Sequence, residues 1–167
     1  VYKRQFQNDG SGIFTDITEQ AGLGQKRFRR SYGASFVDLN EDGKFDLLVS
    51  SDFAGIDIYE GNGQGMFKEV TNGWIDQRHT FGMSHVFADF NTDGKLDFFS
   101  VGMSSTTGRR LELMGLGRDE HKHIDAMRSS MSYGNRLYFA TENGFEQPSF
   151  NDQVSRTGWS WGCTAFD

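Results

Sequence analysis

Cysteine and proline are nearly absent from this sequence, which has one residue of each. The single cysteine, Cys163, excludes an internal disulfide framework and any CxxC metal or redox motif, and we interpret it as a small buried residue. Twenty-one glycines and sixteen phenylalanines accompany the one proline. This mixture is typical of many short strands joined by tight turns, because glycine adopts a positive φ without strain. The composition therefore predicts β structure and disfavours an all-helical fold.

Two further features are missing, a long apolar run and a basic surface. No stretch reaches the roughly 18 apolar residues of a transmembrane helix, so no membrane span is expected. The net charge is −6, and the basic residues are scattered or lie in short runs such as KRFRR at 26–30. A nucleic-acid-binding face needs a basic stripe, so nucleic acid is not expected as a partner. The KRFRR run could contact an acidic polysaccharide or protein, but a solvated loop is favoured.

An acidic motif, in contrast, occurs twice. DLNEDGKFD begins at Asp38, and DFNTDGKLD begins 51 residues later at Asp89. Oxygen-bearing side chains occupy positions 1, 3, 5 and 9 of each motif, and glycine occupies position 6. This spacing matches the first half of an EF-hand calcium loop, in which alternate oxygens converge on one ion. The predicted side-chain ligands are Asp38, Asn40, Asp42 and Asp46 in the first loop, and Asp89, Asn91, Asp93 and Asp97 in the second.

Position 7 of such a loop contributes its backbone carbonyl to the ion. Here that residue is Lys44 or Lys95, whose side chain is expected to point to solvent. An all-oxygen ligand set favours calcium over a transition metal, and the near-octahedral geometry that magnesium prefers makes it a weaker candidate. The sequence thus predicts about two complete Ca²⁺ sites, and a third loop would begin at Asp167.

The twelfth position separates these loops from an EF-hand. It is Val49 in one loop and Ser100 in the other, where an EF-hand has a bidentate glutamate. Asp46 and Asp97 would therefore have to complete the coordination. Without an ion the carboxylates of each loop repel one another, so the turns should loosen. The alternative is that Asp, Asn and Gly are ordinary turn residues in both loops.

The loops belong to a longer repeat. Each of three phenylalanines follows a glycine turn, and an aspartate follows it after 24, 22 and 22 residues: Phe14 with Asp38, Phe67 with Asp89, and Phe145 with Asp167. One unit is a strand, the acidic loop, two strands, a glycine turn and a last strand. Four short strands in about 50 residues is the size of one propeller blade. The strands predicted for the first complete unit are 32–37, 45–50, 56–60 and 66–70. The second strand, FDLLVSS, is expected to be buried on both faces, and the third, GIDIYEG, to alternate near an edge.

The fold class expected is all-β: a partial β-propeller of about two complete four-stranded blades plus flanking strands, with one helical insertion. On this interpretation 1–167 is a fragment of one β-propeller domain. Its parts are the end of a preceding blade at 8–31, a blade at 32–71 with calcium loop 38–46, a blade at 83–150 with calcium loop 89–97 and a helical insert at about 104–133, and the first strand of a further blade at 158–167. Apolar residues recur at helical spacing in the insert, and 118–131 is its best helical segment. In the last strand, Trp159 and Trp161 are expected to pack between blades.

These features resemble the FG-GAP/VCBS repeat family, and most closely its ASPIC/UnbV and cartilage acidic protein-like branch. The segments that carry the resemblance are FTDITEQAGL at 14–23, both DxNxDGxxD loops, GNRLY at 134–138 and GWSWGCTAFD at 158–167. The resemblance implies a β-propeller, often seven-bladed, with a calcium loop between the first two strands of a blade. Members are secreted or surface proteins that bind or adhere and are not enzymes. The asparagine at the third loop position, where aspartate is commoner in the family, is expected to weaken calcium binding.

The function expected is that of a calcium-binding module for extracellular binding, adhesion or scaffolding, and not an enzyme. Its partners would be an unknown protein or polysaccharide, together with the remaining propeller blades of the full-length chain. Its location would be extracellular, periplasmic or at the cell surface. The alternatives are part of a propeller-fold polysaccharide lyase or hydrolase, or an EF-hand or dockerin-like calcium module. No catalytic constellation is apparent, because His79 and His85 lack a partnered nucleophile pattern and no GxSxG elbow is present.

Overall fold

The structure is a computed structural model that describes residues 3–117 and 119–166, apart from the side chains of 121, 123 and 126. Strands account for 36% of the residues and helices for 19%. The strands form one two-stranded and two four-stranded antiparallel sheets, so the predicted β-rich class is confirmed at that level. None of the three sheets closes on itself. Across the described residues, no helix is long and apolar enough to cross a membrane.

The segment predicted to end a preceding blade contains a hairpin. Its strands are β1, Phe6–Asn8, and β2, Phe14–Asp16. They pair antiparallel, with Asn8 opposite Phe14. A short 3-10 helix follows at Gly24–Lys26. This part of the chain thus contributes two short paired strands.

Blade 1 is a four-stranded meander with the order β3-β4-β5-β6. Its strands are β3, Arg30–Val37; β4, Asp46–Asp52; β5, Gly55–Gly61; and β6, Phe67–Glu69. All four predicted strands are present, with ends shifted by a few residues. β4 is buried along almost its whole length, as predicted. β5 is also buried rather than half-exposed, because β6 pairs along its outer side and a core covers each face.

Blade 2 repeats this meander after the short helix α1, Thr71–Trp74. Its strands are β7, Gly82–Ala88; β8, Asp97–Gly102; β9, Arg136–Thr141; and β10, Gly144–Glu146. The first strand of each blade has a register shift, between Ser31 and Gly33 in β3 and between Gly82 and Ser84 in β7. These irregularities are 51 residues apart, like the acidic loops. The repeat therefore extends to the backbone of the strands.

The predicted insert separates β8 from β9. It contains α2, Thr106–Leu113, a 3-10 turn at Asp119–His121, and α3, Lys122–Met131. An isolated bridge between Ser104 and Tyr133 lies at its two ends and matches the predicted limits. The helix predicted over 118–131 is present as the 3-10 turn and α3. The helix α2 was not predicted. The Ser105 side chain accepts a hydrogen bond from the Gly108 N–H and caps this helix.

Two apolar cores lie on opposite faces of blade 1. The core between the blades contains Leu39, Leu48, Ile56, Ile58, Ile75, Phe98, Tyr138 and Phe145. The core toward the N-terminal segment contains Ala21, Leu23, Leu47, Val49 and Tyr59. Successive residues of β4 alternate between the two cores, as side chains of a strand must. Blade 1 is therefore the middle layer of a stack, which is how consecutive blades pack.

His85 of β7 crosses the interface between the blades. Its Nδ1 lies 2.8 Å from the Ser50 Oγ in β4, and its Nε2 lies 2.8 Å from the Ser35 Oγ in β3. A neutral imidazole has one N–H and one acceptor nitrogen, so it can bond both hydroxyl groups. A Cβ at Gly33 would lie 3.2 Å from the ring, so glycine leaves room for the imidazole at this position. Ser50 is fully buried, and the arrangement links the two sheets.

The C-terminal part contains little regular structure. After α4, Asn151–Ser155, no strand is present in residues 160–166, and the first strand expected at 158–167 stays a prediction. A strand needs a hydrogen-bonded neighbour, and the one β-bridge of this segment in the described range joins Trp159 to Met103. Trp159 and Trp161 are 66% and 65% exposed, so they do not pack between blades here. Cys163 is partly buried, with its Sγ 4.0 Å from the Ser84 Oγ.

Candidate metal centre

Each acidic loop connects the first two strands of its blade. Loop 38–46 joins β3 to β4, and loop 89–97 joins β7 to β8. Since the strands in each pair are adjacent and antiparallel, both loops lie at the same end of their blades. An EF-hand is a helix–loop–helix unit. The EF-hand-like alternative is therefore wrong for both loops.

The side chains of the first loop are organised by its own backbone. Asp38 accepts the N–H of Asp42 on Oδ1, at 3.1 Å, and the N–H of Gly43 on Oδ2, at 2.8 Å. Asn40 Oδ1 also accepts the Asp42 N–H, at 3.2 Å, and Asp42 Oδ1 accepts the Lys44 N–H at 2.9 Å. The backbone N–H groups thus hold the oxygens of positions 1, 3 and 5 around one turn.

The second loop has the same four hydrogen bonds. Asp89 accepts from the N–H groups of Asp93, at 3.1 Å, and Gly94, at 2.9 Å. Asn91 Oδ1 accepts from Asp93 N–H at 3.0 Å, and Asp93 Oδ1 accepts from Lys95 N–H at 2.9 Å. Corresponding distances in the two loops differ by at most 0.2 Å. One loop conformation is therefore built twice.

Both loops pass through the left-handed backbone region at positions 4 and 6. At position 6, Gly43 and Gly94 have φ of 80° and 86°, which glycine adopts without cost. At position 4, Glu41 and Thr92 have φ of 59° and 60°. A positive φ is uncommon for such residues and an outlier for a β-branched threonine. Both loops therefore hold the same strained conformation despite different residues at position 4.

Asp46, at position 9, has a different role from the exposed aspartates. Its side chain is completely buried. Oδ2 accepts the Leu39 N–H at 3.0 Å, and Oδ1 accepts the Gly61 N–H at 2.9 Å. One carboxylate thus ties the start of the loop to the third strand of the blade. Each oxygen keeps a further lone pair, so this role is compatible with metal ligation but does not depend on it.

Asp97 repeats this arrangement in blade 2. Its oxygens accept the N–H groups of Phe90, at 3.0 Å, and Ala140, at 2.8 Å. Burial raises the pKa of both Asp46 and Asp97, because the charged form loses hydration. By contrast, the pKa of the exposed Asp42 is lowered, first by the hydrogen bond from Lys44. The two kinds of aspartate are thus distinguished by environment.

Lys44 does not point freely into solvent, as the sequence suggested. Its ammonium lies 2.8 Å from Asp42 Oδ2 and satisfies one of the oxygens predicted to bind the ion. In the second loop the Asn91 Nδ2 donates to the equivalent oxygen of Asp93 at 3.0 Å, taking the same place. A cation bound at either loop would displace one donor from the aspartate at position 5. That donor is the Lys44 ammonium in the first loop and the Asn91 amide in the second.

Over the ranges 3–117 and 119–166, no three His, Cys, Asp or Glu side chains are close enough together to hold a metal ion. The predicted loops each place two aspartates and one asparagine on the turn, with the third aspartate buried in the blade. The remaining predicted ligand, Asp167, lies outside the described residues.

The fold and the loops define a class: antiparallel blades with an acidic loop between the first and second strands. A family model described as an FG-GAP-like repeat matches residues 38–100. The matched range contains both acidic loops, and it supports the FG-GAP part of the predicted resemblance. No curated protein matches the chain.

The sequence did not predict a second charged cluster, which is centred on β5 of blade 1. Asp57 in β5 is completely buried and bonds Lys26, Arg29 and Arg78. The KRFRR run is therefore anchored at two of its residues and is not a solvated loop. An aspartate between isoleucines in GIDIYEG was a signal, since a buried charge requires a partner.

Proposed function

We propose that the chain is a calcium-binding FG-GAP/VCBS-type β-propeller module for extracellular binding, adhesion or scaffolding, without catalytic activity. The observation that carries the proposal is the duplicated loop, with the same four hydrogen bonds and the same left-handed residues in both copies. An ordinary turn has no need to reproduce three oxygen-bearing side chains at alternate positions. The family match over 38–100 points the same way. We place the chain, as part of the same proposal, nearest the ASPIC/UnbV and cartilage acidic protein-like branch.

The donors of each loop suit a hard cation. In the first loop Asp38, Asn40, Asp42 and the Lys44 carbonyl would hold Ca²⁺, with the second lone pairs of Asp46 completing the set. A ligand set made only of oxygens favours calcium. The bound dication would offset two of the three aspartate charges in the loop. Its effect would be to hold the first two strands of the blade together.

The exposed parts of the insert support a binding role. Leu113, Met114 and Leu116, at the end of α2, are 85%, 58% and 50% exposed. Exposed apolar side chains of this size are available for contact with a partner. In the proposed function the calcium loops stabilise one end of each blade, while the insert and the loops at the opposite end contact a protein or polysaccharide.

The calcium proposal is tested by thermal unfolding of the intact protein with calcium and with chelator. Extracellular sites of this type have Kd of about 0.1–1 mM. At about 10 mM calcium each occupied loop should then add roughly 1.4–2.7 kcal/mol to the free energy of unfolding. Asp42→Ala and Asp93→Ala should each lose the contribution of one loop, and the double variant should lose both.

Glu112→Ala is the matched control, because it removes one exposed carboxylate outside the loops. It should keep the full calcium response. Magnesium at the same concentration controls for ionic strength and should give a smaller shift. An equal melting temperature in calcium and in chelator would refute the metal proposal.

A further inference from the structure

Three cationic side chains converge on the buried carboxylate of Asp57. Arg29 Nη1 lies 2.6 and 2.5 Å from its two oxygens, and Lys26 Nζ lies 2.9 Å from Oδ1. Arg78 Nη2 also donates to Oδ1. The Asp57 side chain has no exposed surface, so these bonds are shielded from water. The three side chains are therefore fixed in position rather than mobile on the surface.

The cluster has more positive than negative charge. Besides Asp57, the only carboxylate pairing with it among the described residues is Glu69, whose Oε1 lies 2.8 Å from Lys26 Nζ and 3.6 Å from Arg78 Nη1. Lys26, Arg29 and Arg78 thus exceed their two carboxylate partners by one charge. Lys3 interacts electrostatically with Asp57, Arg29 and Lys26, and burial lowers the pKa of its ammonium group. A local positive field on a chain of net charge −6 favours an anionic ligand at this place.

The two arginines form one wall of an open cleft of about 460 Å³. The cleft is lined by Arg29, Phe53, Ala54, Asn72, Arg78, His79 and Met127. The Arg29 side chain is 29% exposed, and within residues 3–117 and 119–166 its Nε and Nη2 have no hydrogen-bond partner. The Arg78 side chain is 12% exposed, and its Nη1 lies 3.4 Å from Asn72 Oδ1 and 3.6 Å from Glu69 Oε1. Arg29 is thus the more accessible of the two guanidinium groups that line the cleft.

Phe53 supplies an aromatic surface beside these donors. Its ring is 53% exposed and packs edge-on against Phe81, with a centroid distance of 5.0 Å. Its backbone has a φ of 62°, which is an outlier for a bulky residue. Asparagine or glycine would satisfy this tight turn at lower cost. An exposed phenylalanine in a strained turn points to a use for the ring.

We propose that this cleft binds the carboxylate or sulfate group of an acidic saccharide, with Arg29 and Arg78 on the oxyanion and the Phe53 ring against the sugar. Guanidinium groups bind planar and tetrahedral oxyanions through paired N–H donors. An exposed aromatic ring offers an apolar face to the C–H groups of a sugar, which a free inorganic anion does not need. The inference rests on the proposed role as a binding module, since it names the class of partner, but it does not depend on calcium.

The test is isothermal calorimetry of the intact protein with glucuronate at low ionic strength, with glucose and inorganic sulfate as comparison ligands. Glucuronate should bind saturably, glucose should not, and sulfate should bind more weakly than glucuronate. Phe53→Asn removes the ring while relieving the backbone, so it should fold as well as the parent chain. It should raise the Kd for glucuronate about tenfold and leave sulfate binding unchanged.

The pKa of His79 provides a second readout, which a purely structural effect of a substitution would not change. Burial, followed by the nearby Arg78 and Arg29, lowers the pKa of His79. A bound anion favours the imidazolium form, so saturating glucuronate should raise this pKa in an NMR titration. Arg109→Gln is the control for general electrostatics, because it removes an exposed positive charge on α2, and it should change the Kd less than about twofold.

The proposal would be overturned by no saturable binding of glucuronate, equal binding of glucose, an unmoved His79 pKa, or unchanged glucuronate binding in Phe53→Asn. Sulfate binding as tight as glucuronate binding would likewise overturn the saccharide assignment. The calcium titration is read on the same protein samples. Loss of the calcium response with intact glucuronate binding would refute only the metal proposal, and the reverse result would refute only this one.

Discussion

His85 joins two sheets through an uncharged ring, so its protonation bears directly on the interface between the blades. Burial lowers the pKa of His85 to about 4. An unfolded histidine has a pKa of about 6.5. Protonation therefore favours the unfolded chain between these two values, because only the unfolded state takes up the proton there. The contribution of His85 is fully present above about pH 6.5, decreases as the pH falls, and levels off below about pH 4.

We expect His85→Gln to remove this dependence. Over the interval from pH 7 to 4, the parent chain should lose up to about 3 kcal/mol of unfolding free energy through this residue. Glutamine retains a donor and an acceptor for the two serines but does not titrate. Urea denaturation at several pH values, at fixed calcium, compares the two chains. Parallel loss of stability in both would contradict a role for His85.

Thr92 and Glu41 show strain at the same position of the two loops. A left-handed conformation costs roughly 1 kcal/mol in a residue other than glycine. We expect Thr92→Gly to raise the free energy of unfolding by about 0.5–1 kcal/mol, even though the exposed hydrogen bond from its hydroxyl to the Asn91 carbonyl is lost. Lys68→Gly, in the exposed strand β6, should instead destabilise. A destabilised Thr92→Gly would show that the threonine is needed where it stands.

At the scale of the element, each acidic loop contains two kinds of aspartate. Asp46 receives two backbone N–H groups inside the blade, whereas Asp42 lies on the outside of the turn. In Asp46→Asn, one amide N–H must face a backbone N–H, so a buried donor loses its acceptor. We expect a loss of about 1–3 kcal/mol even in chelator.

Asp42→Asn is the matched comparison in the same loop. Because this side chain is exposed, its stability in chelator should stay within about 0.5 kcal/mol of the parent chain. Its calcium response should be reduced. Chemical denaturation of both variants, with and without calcium, separates the fold-stabilising aspartate from the ligand aspartate. Equal stability of Asp46→Asn and the parent chain in chelator would contradict this division.

The elements that could be predicted are those set by local pattern. The strands of blade 1 follow from apolar runs between glycine turns, and the paired loops follow from spacing alone. Two features required tertiary information. The alternation in GIDIYEG indicated an exposed face, but Asp57 is buried because Lys26, Arg29 and Arg78 neutralise it. A strand at 160–166 could not form in the described range without a neighbour to pair with.

At the scale of the whole molecule, the layers meet through close backbone contacts. A Cβ at Gly55, where φ is 79°, would lie 1.7 Å from the Arg78 carbonyl oxygen in the connection between the blades. Gly65 has nearly the same φ, 82°, but open space around it. The two glycines therefore separate backbone strain from crowding between layers.

We expect Gly55→Ala to cost about 2–4 kcal/mol and Gly65→Ala about 1 kcal/mol. The first change combines a strained φ with displacement of the connecting segment, and the second has the strain alone. Thermal and urea unfolding of the two variants measure the difference. Equal losses would show that the connection between the blades yields easily to the added methyl group.

The bridge between Ser104 and Tyr133 has a consequence for how the chain can diversify. It brings the two ends of the insert together beyond the ladder that pairs β8 with β9. The insert therefore leaves blade 2 and returns to it at adjacent points. Inserts of other lengths and compositions can therefore connect β8 to β9 without moving either strand. A different insert would give the protein a different recognition surface while the blades and their acidic loops stay unchanged.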